Sequence, residues 1–245
     1  MKHFYIRPDA VTGDRVIFDA EESHHLARVL RLRPGALVQT VDGSGRELTV
    51  RVESISARAA EGRVIDQSVV RSESSLDLTL VQAVPKGDKL AGIIRMATEL
   101  GVNRVVTAVT ERTVARIDPA QRRARANRWQ RIAREAAKQS GRATVPEVLE
   151  PLALTDWLGA PRAPGLTVCL WEGADAPLDA ALPERPVNRA SLIVGPEGGF
   201  TEQEVAGMAR AGAIVAGLGP RILRTETAGP VGLALLQLRY GDLGK

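Results

Sequence analysis

Cysteine, histidine, aromatic residues and long apolar runs are all scarce in this chain of 245 residues. Each shortage removes a class of function. No stretch is apolar for the roughly 20 residues that a membrane-spanning helix needs. Cys169 is the single cysteine, so an intrachain disulfide is impossible, as suits a reducing compartment. It lies within "GLTVCLWE", a strand-like run, and reads as a small core residue. Three histidines (His3, His24 and His25) and one cysteine offer no zinc-ligand spacing, so no metal is expected. Phe, Trp and Tyr make up 3% of the chain, too little for a sheet that stacks RNA bases on aromatic rings. Any RNA bound here must be held chiefly by arginine. The opening stretch "MKHFYIRPDAVTGDR" has no apolar signal-peptide core, and the expectation is a cytoplasmic protein.

Against these absences stand an ordinary globular composition and a modest excess of basic charge. Apolar residues make up 44% and charged residues 25% of the chain, as in soluble globular proteins. Lys and Arg number 33 against 29 Asp and Glu, a net charge of +4. That balance permits a nucleic-acid partner without requiring one.

Residues 1–72 read as a small β domain. "RVIFDA", "ALVQTVDG", "ELTVRVESI" and "GRVIDQSVV" are short β-prone runs, with a hairpin signal at Asp42-Gly43-Ser44-Gly45. One helix, "ESHHLARVLRL", interrupts them and is expected to stop at Pro34-Gly35. The polar, Ser-rich "RSESSLD" has the composition of a boundary. From residue 73 to 245 the texture changes to alternating strands and helices, which predicts an α/β domain with a parallel sheet covered on both faces. "LDLTLVQAV", "VNRVVTAVT", "TVCLWE", "SLIVG" and "AIVAGLG" are its strands. "KGDKLAGIIRMATELG", residues 119–140, "TEQEVAGMARAG" and "VGLALLQLRYG" are its helices. Ligands of such sheets sit outside the carboxyl ends of the strands.

Three stretches fall at strand ends: "CLWEG", "VGPEGGF" and "GLGPRILRTETAG". Gly195, Gly198 and Gly199 allow a sharp turn and close approach of the backbone to a ligand. Thr201 and Glu204 have the spacing of a capping box for the following helix. The cluster lacks the Lys-Ser/Thr of a Walker loop and is not G-x-G-x-x-G, so a nucleotide cradle is poorly supported. Glu197 inside the turn disfavours phosphate and suits a cationic ligand. In "RILRTETAG" the simplest role is a helix start, with Thr225 or Thr227 as cap and Glu226 in the first turn. Convergence of the loops at 171–173, 195–199 and 218–224 would make a pocket instead. Along the helix 119–140, Trp129, Ile132, Ala133 and Ala136 share one face; Arg123, Arg131, Arg134 and Lys138 lie roughly opposite. Glu135 is the lone acid near that basic face, which suits phosphate contact as well as simple solvation. Arg28, Arg31 and Arg33 repeat the theme in the first domain.

The stretches "HHLARVLRLRPG", "PKGDKLAGIIRMATELGV", "EAAKQSGR", "VGPEGGFTEQE" and "LGPRILRTETA" together resemble the bacterial 16S ribosomal RNA uridine-N3 methyltransferases of the knotted SPOUT superfamily. The resemblance runs over essentially the whole chain, with the motifs in order. It implies a PUA-like β-barrel that helps hold RNA, then an α/β domain with a deep trefoil knot. It implies S-adenosylmethionine as cofactor and a homodimer as the working form. The cofactor loops correspond to Leu170, Trp171 and Glu172; to Gly195, Pro196, Glu197, Gly198 and Gly199; and to Leu218, Gly219, Arg221, Ile222 and Leu223. Arg224, Glu226 and Thr227 then face the methyl group and the uracil. Arg224 stays protonated and suits the uracil oxygens as negative charge develops. Glu226 is either the base or the group that orients Arg224. Arg7, Arg28, Arg31 and Arg33, with Arg123, Arg131, Arg134 and Lys138, are the expected phosphate contacts within the small ribosomal subunit or its RNA. Methylation at a ribose 2′-hydroxyl, a non-catalytic RNA-binding assembly factor, and a nucleotide-binding enzyme are the competing readings.

Overall fold

Strands whose side chains alternate between a core and water build the amino-terminal part of the molecule. A computed structural model describes residues 3–43, 45–56, 58–69, 73–114 and 117–244. The chain divides into two compact units: Met1–Glu73 with Arg134–Val145, and Ser74–Ala133 with Pro146–Lys245. Ser44 of the expected hairpin turn and residues 71 and 72 of the expected linker lie outside the described residues.

The first unit contains β1 (His3–Tyr5), β2 (Val11–Thr12), β3 (Arg15–Phe18), α1 (Ala20–His24), β4 (Leu37–Val41), β5 (Arg46–Ile55) and β6 (Ala60–Val69). The sheet order is β1-β4-β5-β6-β3-β2. β1 runs parallel to β4 and every other pair is antiparallel. In β3, Val16 and Phe18 are buried while Arg15 and Ile17 face out, the period of two expected of a half-buried strand. Phe4, Phe18, Leu26, Leu48 and Val50 form the core. The helix expected over "ESHHLARVLRL" is shorter than its pattern. The Asp19 carboxylate caps α1 by accepting the Glu22 N–H at 2.9 Å. A π-helical turn, His25–Val29, follows. The helical path is over by Arg31, which takes a φ of 52°, before Pro34 is reached.

The chain continues through β7 (Asp77–Ala83), α2 (Lys89–Glu99), β8 (Arg104–Val109) and α3 (Arg122–Ser140). The short β9 (Glu147–Val148), β10 (Leu152–Ala153) and α4 (Leu154–Gly159) come next, then β11 (Leu166–Leu170) and α5 (Leu178–Ala181). β12 (Arg189–Val194), α6 (Glu202–Arg210), β13 (Ile214–Ala216) and α7 (Thr225–Tyr240) complete it. The second unit's sheet is entirely parallel, in the order β10-β8-β7-β12-β11-β13, with β9 also on β8. Its central strands are buried on both faces, which is why they read as near-continuous apolar runs. On one face, Val81, Val106, Cys169 and Ile193 pack with Trp157 of α4, and Val205 and Met208 of α6. On the other, α7 lies so close that a Cβ on Gly232 would fall 2.7 Å from the Leu192 side chain. Thr201 and Glu204 make both bonds of the capping box that starts α6. Among the described residues no helix is long and apolar enough to cross a membrane.

Candidate functional site

The ends of three neighbouring strands stand level. Leu170, the last residue of β11, is in register with Val194 of β12 and with Ala216 of β13. β11 has β12 on one side and β13 on the other, so the chain order reverses around it. The loops that leave these ends surround a cavity of about 370 Å3 together with the start of α7. It lies where ligands of parallel sheets bind, and within the roughly 300–1,000 Å3 of small-molecule sites. Leu170, Trp171, Glu172, Gly195, Pro196 and Gly199 line it. So do Leu218, Gly219, Arg221, Ile222 and Leu223. The charged groups of the lining are two acids, Glu172 and Asp175, and one cation, Arg221.

Two residues expected in that wall are elsewhere. Glu197 turns to the outside of the glycine loop, where it accepts from Lys89 Nζ at 2.9 Å and from the Lys86 N–H. Burial pushes its carboxyl up, but the Lys89 bond outweighs this and holds it below the usual range. The Gly198 carbonyl likewise points away and accepts from Arg112 Nη1 at 2.9 Å. The carboxylates that line the cavity are therefore Glu172 and Asp175, not Glu197; of the two, Glu172 is the one against the glycine loop. It packs directly on the loop: Gly199 has a φ of +68°, and a Cβ there would fall 2.6 Å from Glu172 Oε1.

The start of α7 is held by Thr225, whose expected role was no more than a helix cap. Arg224 is the N-cap, without a side-chain capping bond. Its carbonyl accepts from the N–H groups of Thr227 and Ala228, both at 2.8 Å. Thr225 is buried, and its hydroxyl donates to the Gly195 carbonyl at 2.6 Å. Gln82, fully buried at the end of β7, donates from Nε2 to Thr225 Oγ1 at 2.9 Å and to the Ala83 carbonyl at 3.1 Å. Thr225 and Ala228 line the cavity; Arg224, Glu226 and Thr227 do not. Arg224 and Thr227 are exposed. Glu226 is partly exposed and its Oε2 is 3.5 Å from Lys89 Nζ. Lys89 thus bridges Glu197 and Glu226, and its bond to Glu197 raises its own pKa. Gln82 and Lys89 are functional candidates that sequence reasoning missed. The available signal was Gln82, a long polar side chain between Val81 and Ala83 in the mostly apolar run "LTLVQAV".

The expected RNA contacts divide by environment. In the first unit, Arg28, Arg31 and Arg33 are exposed, and Arg7 is exposed with Asp9 at 3.5 Å. In the second, Arg123 and Arg131 are exposed. Lys138 is not a free cation: its side chain is 9% exposed, and Nζ is 2.7 Å from both Glu22 Oε1 and Glu135 Oε1. Burial pulls its pKa down, but the bonds to those two carboxylates outweigh this and raise it. Arg134 stacks its guanidinium 4.7 Å from the centre of the Tyr5 ring, and its Nε is buried. Both side chains are committed to packing within the unit. Among the described residues, no three of His, Cys, Asp and Glu gather as metal ligands. Cys169 is fully buried in the core of the second unit, and burial pushes its thiol up to about 12.

The sequence model of the RNA methyltransferase domain matches residues 72–237, and that of the RNA methyltransferase PUA domain matches residues 18–65. The ribosomal RNA small subunit methyltransferase E of Bacillus subtilis is 34% identical over 214 residues, covering 85% of this chain and 84% of its own. The protein of the same name from Mycobacterium tuberculosis is 34% identical over 235 residues, covering 94% and 88%. A crystal structure of the Neisseria gonorrhoeae ribosomal RNA small subunit methyltransferase E, bound to S-adenosyl methionine, superposes with a TM-score of 0.90. It is 32% identical and 99% of each chain is covered. The matched span, the strand-end cavity and these relatives agree: the chain belongs to the RNA methyltransferase family.

Proposed function

We propose that this chain transfers a methyl group from S-adenosylmethionine to N3 of one uridine in the 16S ribosomal RNA of the small subunit. The cavity formed where β11, β12 and β13 meet the first turn of α7 carries this reading. Its residues fit the cofactor. Leu170, Leu218 and Ile222 supply apolar surface for an adenine. Glu172 and Asp175 favour a ligand bearing positive charge, and among the described residues of the lining there is no lysine to cradle a phosphate. Relatives with this fold whose names carry the activity support the substrate class. When bound, S-adenosylmethionine supplies a methyl group already activated by the sulfonium.

The chain's own residues then orient and stabilise. Holding two reactants in line can contribute roughly 7–11 kcal/mol, and the Thr225–Gly195 bond fixes the loop against the helix start for that purpose. Arg224, exposed at the N-cap of α7, donates hydrogen bonds to uracil O2 or O4 as N3 loses its proton to solvent and negative charge develops. Glu226, tied to Lys89, orients Arg224, and Thr227 completes that turn. Arg28, Arg31 and Arg33, with Arg123 and Arg131, contact phosphates and set the register on RNA. A base inside a folded RNA must be unpaired or extruded to reach such a pocket.

The assignment extends to architecture. Residues 1–72 act as a PUA-like β-barrel and residues 73–245 as the SPOUT domain. Deep knots are rare; here the reversal of strand order around β11 and the return of α7 over β12 are consistent with a trefoil. A homodimer is supported by Val231, Leu235 and Leu238, exposed along one stripe of α7. Contiguous apolar surface of this kind marks an interaction site. The expected location is the cytoplasm, where small subunits are assembled. The test incubates the protein with S-adenosylmethionine and small subunits lacking the modification, then digests the RNA. N3-methyluridine formed by the wild type and absent with Arg224→Ala is the expected result. A 2′-O-methyl product, or no product with any ribosomal substrate, overturns the reading.

A further inference from the structure

The face of the parallel sheet that is apolar toward the carboxyl ends turns polar toward the amino ends. Val81, Cys169 and Ile193 pack in the core. Two residues earlier in each strand come Thr79, Thr167 and Ser191, on the same face by the period of two. They are neighbours in one cross-strand row, Thr167 paired with Ser191 and Ser191 with Thr79, and Arg104 extends the row from β8. At about 4.8 Å per strand the row spans about 14 Å. None of the three hydroxyls makes a side-chain hydrogen bond to a described residue, and all three line a second cavity, of about 510 Å3, away from the strand-end site.

Three guanidiniums face this cavity, each anchored through one nitrogen. Arg189 Nε bonds Asp77 Oδ2 at 2.6 Å, and Arg104 Nε bonds Glu147 Oε2 at 2.9 Å. Arg162 lies 4.1 Å from the centre of the Trp157 ring, and its Nη1 donates to the carbonyls of Trp157 and Ala160. The remaining nitrogens of each fork are donors with no bond to a described residue. Among the described residues of the lining, Asp77 is the only acid. Fixed guanidinium forks select oxyanions, and bind them bidentately. The adjoining row of hydroxyls is longer than a phosphate and matches a ligand with hydroxyls of its own.

We propose that this cavity binds a phosphate group carried on a small hydroxylated scaffold, of the size of a pentose phosphate. The arginines take the phosphate and the Thr167–Ser191–Thr79 row takes the hydroxyls. The inference does not depend on the methyltransferase assignment. The site is built from the opposite end of the sheet, and its test reads binding alone. The phosphate could belong to a free metabolite or to a ribose of RNA, and the experiment separates the two.

The full chain is titrated with ribose 5-phosphate and, separately, with a short oligoribonucleotide lacking terminal phosphates, followed by phosphorus NMR and calorimetry. Two variants are compared: Thr79→Val with Ser191→Ala, and Arg162→Lys, which keeps the charge and loses the fork. Both are checked for an unchanged melting temperature. Saturable binding of ribose 5-phosphate, weakened at least ten-fold in both variants, is the expected result and assigns a free ligand. Binding of the oligoribonucleotide alone, weakened by the same variants, assigns the phosphate to RNA. Binding of neither probe, or binding indifferent to both variants, overturns the proposal.

Discussion

Replacing Thr225 by valine removes one hydroxyl while keeping the shape of the side chain, yet Thr and Val are not equivalent in a buried site. The hydroxyl donates to the Gly195 carbonyl at 2.6 Å and accepts from Gln82 Nε2 at 2.9 Å, and Thr225 is only 5% exposed. After substitution Gln82 Nε2 keeps its bond to Ala83, and the Gly195 carbonyl keeps only a 3.5 Å contact from the same amide. Leaving such a buried group unsatisfied costs about 1–3 kcal/mol. A loss of ~2 kcal/mol in a chain of this size lowers the melting temperature by about 4–8 °C. Gly195 lines the cavity, so affinity for S-adenosylmethionine should fall in parallel. Thermal unfolding by circular dichroism and calorimetric titration read the two effects. Thr227→Val, on the exposed side of the same turn, is the control and should stay within about 0.5 kcal/mol of wild type. A Thr225→Val protein that melts within about 2 °C of wild type and binds the cofactor equally well refutes the idea that this hydroxyl ties loop to helix.

Lys89→Met should cut methyl transfer well below wild type with a small change in melting temperature, because Glu197 and Glu226 lose the ammonium they share; Lys89→Arg should recover part of the rate. Gly199→Ala forces a side chain onto a φ of +68° beside Glu172. That strain is about 1–2 kcal/mol, and cofactor affinity measured by calorimetry should drop about ten-fold. The Cys169 thiol should resist thiol reagents at pH 8 in the folded protein and react on unfolding. Its folded pKa of about 12 exceeds the ordinary 9.0, so its contribution is complete below pH 9 and is lost as pH rises from 9 to 12. The stability advantage of wild type over Cys169→Ala should shrink across that window in chemical denaturation; an advantage that grows with pH contradicts the assignment.

The alternation of strand and helix in the second unit was legible because each buried strand is a short apolar run ended by glycine or a polar turn. The loops after Leu170, Val194 and Ala216 were legible for the same reason. What sequence could not supply was the direction in which single side chains leave those loops. Glu197 and Gly198 stand in the same five-residue turn as Gly195, Pro196 and Gly199, yet face Lys89 and Arg112, residues far away in the chain. Lys138 shows a second limit. Nine positions from Trp129, it falls on the opposite side of an ideal helix and reads as solvated. The last turns of α3 belong to the first unit, where the buried Glu22 carboxylate meets that side of the helix and takes the ammonium. The helix over residues 22–32 was overextended because its apolar spacing continues past the point where the backbone turns at Arg31.

The two faces of the glycine loop explain why it can be a site before any ligand arrives. The inward face presents Gly195, Pro196 and Gly199 to the cavity, with Glu172 packed against it. The outward face is bonded: Glu197 to Lys89 and Lys86, the Gly198 carbonyl to Arg112. The Gly199 N–H closes the turn onto the Pro196 carbonyl at 3.0 Å. A glycine-rich segment is otherwise the most mobile kind of backbone. Ordering it when a ligand binds would subtract from affinity, whereas a loop fixed beforehand does not carry that cost. The cations outside the loop therefore serve the cavity without touching it, and Thr225 extends the same fixation to the helix that carries Arg224.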